Sequence, residues 1–107
     1  MVLITGPLYS GKRDYACQIL NCTAEELGAH AVWDAQKLAA GRDDLETLAD
    51  ELARHEVVIA TEVGGGVIPV DAGERTAREA AGRLSCLLAK RADRVIRVFC
   101  GLPMELK

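Results

Sequence analysis

Residues 1–13 read MVLITGPLYSGKR, and the junction they make between a strand-like run and a helical pattern decides the fold. Residues 1–5 form a continuous apolar, β-branched run that stops at Gly6, the pattern of a strand buried on both faces. From Lys12 onward Tyr15, Ala16, Ile19 and Leu20 recur at helical spacing. The string between them, Gly6-Pro7-Leu8-Tyr9-Ser10-Gly11-Lys12, has the glycine and lysine spacing of a phosphate-binding loop. Glycines let such a backbone curl until its N–H groups point inward, the lysine adds a charge, and the helix N-terminus adds its dipole. One position departs: where the loop usually ends in a small hydroxyl that ligates magnesium, this chain has Arg13. A guanidinium does not ligate a metal but reaches a phosphate. Ser10 and Asp14 offer oxygens at other offsets. The competing reading is a plain turn that uses Gly6 and Gly11 for backbone freedom and leaves Lys12 solvated.

Outward from this junction the chain alternates strand and helix signals. Thr23 stands three residues before Glu26 with capping-box spacing, and Gly28 is a plausible stop. Residues 30–33 read as a short strand ending at Asp34. Residues 43–54 place Leu45, Leu48, Ala49 and Leu52 on one helical face, and residues 57–61 form a third buried strand. A glycine-rich loop, Glu62 to Pro69, leads into a long helix with Asp71 and Glu74 near its start. Its apolar stripe is Ala77, Ala80, Ala81, Leu84, Leu87 and Leu88. Residues 95–100 are the last clear strand, closed by Gly101 and Pro103. This order predicts an α/β fold: a three-layer parallel sheet with flanking helices, P-loop NTPase-like, as a single nucleotide-binding domain over residues 1–107. A sheet of roughly four parallel strands leaves open edges, which points to a homo-oligomer.

Composition narrows the partners. A net charge of −3 argues against a domain that holds nucleic acid on a basic surface. No apolar run approaches the roughly 20 residues of a membrane span, and no basic region precedes the first strand, so a cytoplasmic location is expected. Cys17, Cys22, Cys86 and Cys100 show no C-x-x-C spacing, and His30 and His55 lie far from them, so metal-ligand spacing is absent. Cys17, Cys86 and Cys100 are expected as core-facing hydrophobes in a reducing compartment.

Open parallel sheets bind ligands beyond the carboxyl ends of their strands. Three segments therefore converge: the loop after Thr5, Asp34 after the second strand, and Glu62 after the third. An acid at such a strand end can hold magnesium or its water, so Asp34 and Glu62 are both candidates. Asp34 also reads as a turn or cap residue. Arg75 and Arg78, three apart near the start of the long helix, are candidate phosphate contacts, and equally candidates for a solvated face paired with glutamates. Arg83 is placed as a helix-fixing or inter-subunit residue.

The stretch from Glu62 to Asp93, EVGGGVIPVDAGERTAREAAGRLSCLLAKRAD, resembles the cobalamin-pathway family of bifunctional adenosylcobinamide kinase and adenosylcobinamide-phosphate guanylyltransferase. That family carries E-V-G-x-G-I-V-P, then a helix with R-x-x-x-G-R, then A-D before its last strands. Glu62, Val63, Gly64, Gly66 and Pro69 match the loop, with Val67 and Ile68 exchanging the two aliphatics. Arg78, Gly82 and Arg83 match the helix, and Ala92 with Asp93 match the turn. The family's phosphate loop, G-G-x-x-S-G-K-S, is met by Gly6, Ser10, Gly11 and Lys12, while Pro7 and Arg13 depart.

The resemblance implies a phosphate-loop fold that phosphorylates the aminopropanol arm of adenosylcobinamide with ATP or GTP. It further implies a GDP-activated product formed through a guanylylated histidine, and an oligomer. The chain resembles a shortened member: it lacks material between the first helix and the Glu62 strand, where the family carries its basic, histidine-containing segment. His30, in a strand-like run, and His55, at a helix end, read as structural or exposed, which leaves the guanylyl step without an evident acceptor. The implied activity is the kinase, with a catalytically inactive nucleotide-binding, regulatory or structural subunit as the alternative. In the kinase reading Lys12 neutralises the transferred phosphate, and Gly6, Ser10, Gly11 and Arg13 help hold the nucleotide. Glu62 or Asp34 orients the metal or the attacking hydroxyl, and Asp34 is the candidate Mg²⁺ ligand. Glu62, Gly64, Gly66, Pro69, Arg75 and Arg78 contact the corrinoid or the nucleotide.

Overall fold

The computed structural model describes residues 1–63 and 72–107. Among the described residues five strands form one sheet: β1 Val2–Gly6, β2 Ala31–Val32, β3 Val57–Thr61, β4 Arg94–Phe99 and β5 Leu102–Glu105. Their spatial order is β2-β3-β1-β4-β5, with the first four parallel and β5 antiparallel to β4. The helices are α1 Lys12–Leu20, α2 Leu45–Leu52 and α3 Ala72–Arg91, with short 3₁₀ turns at Leu27–Ala29 and Ala35–Ala39.

Strand order and crossover hand together fix the layers. The chain moves from β1 past β3 to β2 in one direction, then back from β2 to β3 and across β1 to β4 in the other. Right-handed crossovers then put the first connection on one face and the other two on the opposite face. The packing agrees. Ile4, Val57, Ile59, Ile96 and Val98 pack with Ala16 of α1, while Leu3, Val58, Ala60 and Val95 pack with Leu48 and Leu52 of α2 and Leu84 and Leu88 of α3. Alternate residues of β1, β3 and β4 thus enter two cores, which is why these strands read as unbroken apolar runs. The three-layer α/β expectation holds, and so do the core faces of α2 and α3. Arg91 adds a clamp between those two helices, donating to Glu46 at 2.6 Å and to Asp50 at 2.7 Å.

The capping box forms as expected, whereas Gly28 lies inside the Leu27–Ala29 turn rather than stopping it. Thr23 and Glu26 bond reciprocally, the Glu26 N–H donating to the Thr23 hydroxyl and the Thr23 N–H to the Glu26 carboxylate, each at 3.3 Å. Helix α1 stops in a Schellman turn. Asn21 takes a left-handed φ of 53°, and the N–H groups of Asn21 and Cys22 reach the carbonyls of Gln18 and Cys17.

Two further expectations are corrected. Strand β4 ends at the Cys100–Gly101 turn as expected, but a further strand follows it and contains Pro103. Cys100 and Gly101, with φ of 53° and 75°, make a two-residue turn of the kind whose twist suits a hairpin, and β5 folds back on β4. Pro103 is tolerated there because β5 is an edge strand. Cys86 and Cys100 are exposed rather than core-facing, and Cys17 is half-buried. Cys100 occupies the hairpin turn, and Cys86 lies between the core contacts Leu84 and Leu88 on the outward side of α3. Among the described residues no helix is long and apolar enough to cross a membrane.

Candidate functional site

The loop between β1 and α1 is held in its curl from two sides. A Cβ on Gly6 (φ 151°) would fall 2.2 Å from the Val98 carbonyl oxygen and 2.9 Å from the Ser10 hydroxyl. Gly11 (φ 96°) turns the chain into α1, and its own Cβ position lies 3.4 Å from the Gly101 Cα. The hairpin turn braces the loop further, the Gly101 N–H donating to the Ser10 carbonyl at 2.8 Å. Both glycines and the turn are thus parts of one close-packed corner. Ser10 and Lys12 are buried in it, and Lys12 is only 7% exposed. The alternative of a solvated Lys12 is thereby overturned.

The Lys12 ammonium donates to the Pro7 carbonyl at 2.5 Å and lies 3.5 Å from the Ser10 hydroxyl, inside the curl of the loop. Burial pushes its pKa below the ordinary lysine value, while the Asp34 and Glu62 carboxylates oppose that shift and Arg13 adds to it. The three strand-end segments singled out in the sequence therefore meet around Lys12. A cleft of about 270 Å³ opens between residues 8–14 of the loop, Trp33, Asp34, and Ile59 and Thr61 of β3. That volume lies near the lower end of small-molecule sites.

Asp34 sits on the cleft wall with a left-handed φ of 55°. Its carboxylate lies 3.9 Å from the Arg13 guanidinium and 3.7 Å from the Lys37 ammonium. The Arg13 guanidinium also lies over the Trp33 ring, 4.9 Å from its centroid. Gln36 ties this wall to the sheet: its amide N–H donates toward Asp34 at 3.5 Å, and its carbonyl accepts the Thr61 N–H at 2.9 Å.

Glu62 continues the ladder beyond β3, its N–H donating to the Gly6 carbonyl at 2.8 Å. Its carboxylate is gripped by both arms of Arg97, at 2.7 and 3.0 Å. Arg97 pairs in register with Thr5, so this clamp spans β1 from its two neighbours, β4 and β3. The guanidinium beside it holds the Glu62 carboxyl below the usual glutamate range, with burial working the other way. A carboxyl depressed on folding stabilises the native state above its ordinary value of 4.5, and the contribution fades as pH falls through the lowered one. Arg97→Met is therefore expected to flatten the acid limb of Tm against pH below about 4.5 relative to the parent, as followed by circular dichroism. An unchanged acid limb would show that the clamp contributes nothing to stability.

Other candidates lie elsewhere. Arg78 bonds to Glu74 at 3.3 Å and, with Gln36, Lys37 and Val63, borders a second hollow beside α3. Arg75 is exposed on the same helix. Gly64, Gly66 and Pro69 fall outside the described residues. His30 precedes β2 and bonds to Glu56 at 3.0 Å, and His55 precedes β3, so both occupy the edge where the parallel strands begin. Five residues of strand, roughly 3.3 Å each, separate that edge from the cleft. Sequence reading passed over Arg97, Gln36 and Trp33. Arg97 carried a signal, being a charge inside an otherwise apolar strand.

The fit to magnesium is poor. Arg13 stands where the metal-binding hydroxyl would be, Asp34 faces two cations, and the Glu62 charge is neutralised by Arg97, which bonds to both of its oxygens and leaves each one acceptor site. Among the described residues no group of three or more His, Cys, Asp or Glu side chains is placed to hold a metal ion.

A strand that ends in a glycine-rich turn, a helix opening on a buried lysine, and acids at neighbouring strand ends of a largely parallel sheet define an α/β protein of the P-loop NTPase-like class. Comparison with known proteins takes this one step further. The family described as cobinamide kinase / cobinamide phosphate guanyltransferase (CobU) matches residues 19–106. The bifunctional adenosylcobalamin biosynthesis protein CobP of Pseudomonas aeruginosa is 35% identical over 74 residues, 69% of this chain and 43% of that protein. The chain belongs to the CobU family, as the resemblance implied, and spans 43% of the length of that curated relative. The family match begins beyond the loop, so a role for residues 6–12 rests on their own geometry.

Proposed function

We propose that the chain is a single nucleotide-binding domain that takes ATP or GTP at the β1–α1 loop. It passes the terminal phosphate to the aminopropanol hydroxyl of adenosylcobinamide, in cobalamin biosynthesis. The observation that carries this reading is the buried Lys12 ammonium inside the loop's curl, at the head of α1 and within electrostatic reach of Asp34 and Glu62. Backbone N–H groups of the loop, with Ser10, hold the phosphates, and Lys12 neutralises the one in transit.

Glu62 serves as an anchor for the attacking hydroxyl. A general base works best with a pKa near the working pH, and Arg97 moves Glu62 away from it. A fixed carboxylate still accepts a hydrogen bond from the hydroxyl and aims it, and positioning of this kind dominates phosphoryl transfer. Gly64, Gly66 and Pro69, with Arg75 and Arg78 at the start of α3, contact the corrinoid or the nucleotide. Any magnesium enters as the counter-ion of the triphosphate, is held by no protein ligand and is not required for binding. The protein works in the cytoplasm as a homo-oligomer joined through its sheet edges.

Incubation with labelled ATP or GTP and adenosylcobinamide is expected to give the phosphorylated corrinoid and no guanylylated protein. A second reading, a nucleotide-binding subunit without catalysis, is favoured by Arg13 at the metal position. Nucleotide binding with no transfer from either ATP or GTP would select it.

A further inference from the structure

We infer that this site binds a triphosphate without a divalent metal, the Arg13 guanidinium supplying at the cleft wall the positive charge that other phosphate loops take from magnesium. This rests on the phosphate-binding reading of the loop and adds to it how the anion's charge is met.

Arg13 follows the loop lysine directly and lies in the first turn of α1, where a magnesium-binding hydroxyl would sit. Its position is built. Trp33 lies under the plane of the guanidinium, and Asp34 stands at one end of it. The 3.9 Å approach to Asp34 is longer than a hydrogen bond, and the side chain is 59% exposed while lining the cleft. Its fork of N–H donors is therefore steered by charge and stacking yet remains available to phosphate oxygens. A guanidinium so placed repels a second cation. Magnesium demands near-octahedral oxygen ligands, and Asp34 and Glu62 face Arg13, Lys37 and Arg97 instead. Among the described residues this leaves Asp14 as the carboxylate lining the cleft, beside hydroxyls such as that of Ser10, too few for such a shell. Two adjacent protein cations, Lys12 buried and Arg13 on the wall, then meet an anion that magnesium would partly neutralise beforehand. Chelating the metal leaves the attraction intact or raises it.

The test is calorimetric titration with ATP in excess EDTA and again in excess Mg²⁺. It uses the parent chain, Arg13→Ser, Arg13→Lys and Trp33→Leu, each checked for folding by its thermal melt. The parent is expected to bind in EDTA at least as tightly as in Mg²⁺. Arg13→Ser is expected to weaken binding in EDTA about tenfold or more, the scale of a lost charge-assisted hydrogen bond, and to recover affinity when Mg²⁺ is added. Arg13→Lys keeps the charge without the fork and falls between the two. Trp33→Leu frees the guanidinium and weakens binding in EDTA more than in Mg²⁺. Parent binding that drops about tenfold in EDTA would overturn the inference while leaving the phosphate-binding reading standing. Absence of binding in both buffers would overturn that reading and the inference with it.

Discussion

Lys12→Ala is expected to remove ATP and GTP binding from this protein while leaving its fold intact. The ammonium sits in the curl of the loop, 2.5 Å from the Pro7 carbonyl, and needs only to exchange that partner for phosphate oxygens. Hydrogen bonds to charged groups contribute roughly 1.5–3 kcal/mol each, so losing two of them lowers affinity about 100-fold or more. Stability responds differently. Burial already penalises the Lys12 charge, so removing it relieves a desolvation cost, and Lys12→Met, which keeps the packed stem, should melt at or above the parent temperature. Calorimetry separates the two effects.

The same residue gives a pH signature. ATP selects the ammonium form, and the free protein loses that proton below the ordinary lysine value of 10.5 because Lys12 is buried. Parent affinity should therefore fall on the alkaline side before pH 10.5 is reached, whereas residual binding by Lys12→Met should lack that fall. Full-strength binding by Lys12→Ala would remove the loop from the function altogether.

Most of this corner was legible because its signals are local. An apolar run, a glycine, a second glycine and a lysine lie within twelve residues, and each carries its structural meaning by itself. The strand ends at Asp34 and Glu62 were legible too, since parallel sheets collect such residues on one edge. What escaped depends on strand order. Arg97 meets Glu62 only because β4 and β3 flank β1, and no spacing in the chain announces neighbours 35 residues apart. Gln36 reaches Thr61 through a 3₁₀ turn too short to leave a periodic pattern. Strand β5 was hidden by its turn. Two-residue hairpin turns with both φ positive favour Asn-Gly or Asp-Gly, and here a cysteine occupies the first position. The acids at the strand ends carried a second lesson. Their type suggested metal ligation, but tertiary structure pairs them with Arg13, Lys37 and Arg97, partners that no local spacing announces.

Gly6→Ala is the substitution expected to damage the fold most. Gly6 is the last residue of β1, at the centre of the sheet, and its φ of 151° is one that residues with a side chain rarely adopt. The added methyl would meet the backbone carbonyl of Val98 at 2.2 Å, and a strand backbone inside a sheet cannot step aside as the tip of a side chain can. Backbone strain and overpacking each cost about 1–3 kcal/mol, and a domain of this size is stable by only about 5–15 kcal/mol. With Tm falling roughly 4–8 °C per kcal/mol, a drop of about 10 °C or more is expected, together with loss of the loop's curl and of ATP binding. Gly82→Ala supplies the contrast. It lies within α3 with open space at its Cβ position, so replacing glycine by a better helix former should raise Tm by a few degrees. A Gly6→Ala protein that melts with the parent would mean that β1 and β4 separate readily at this point. The bracing of the loop by the β4–β5 turn would then not be what holds Lys12 in place.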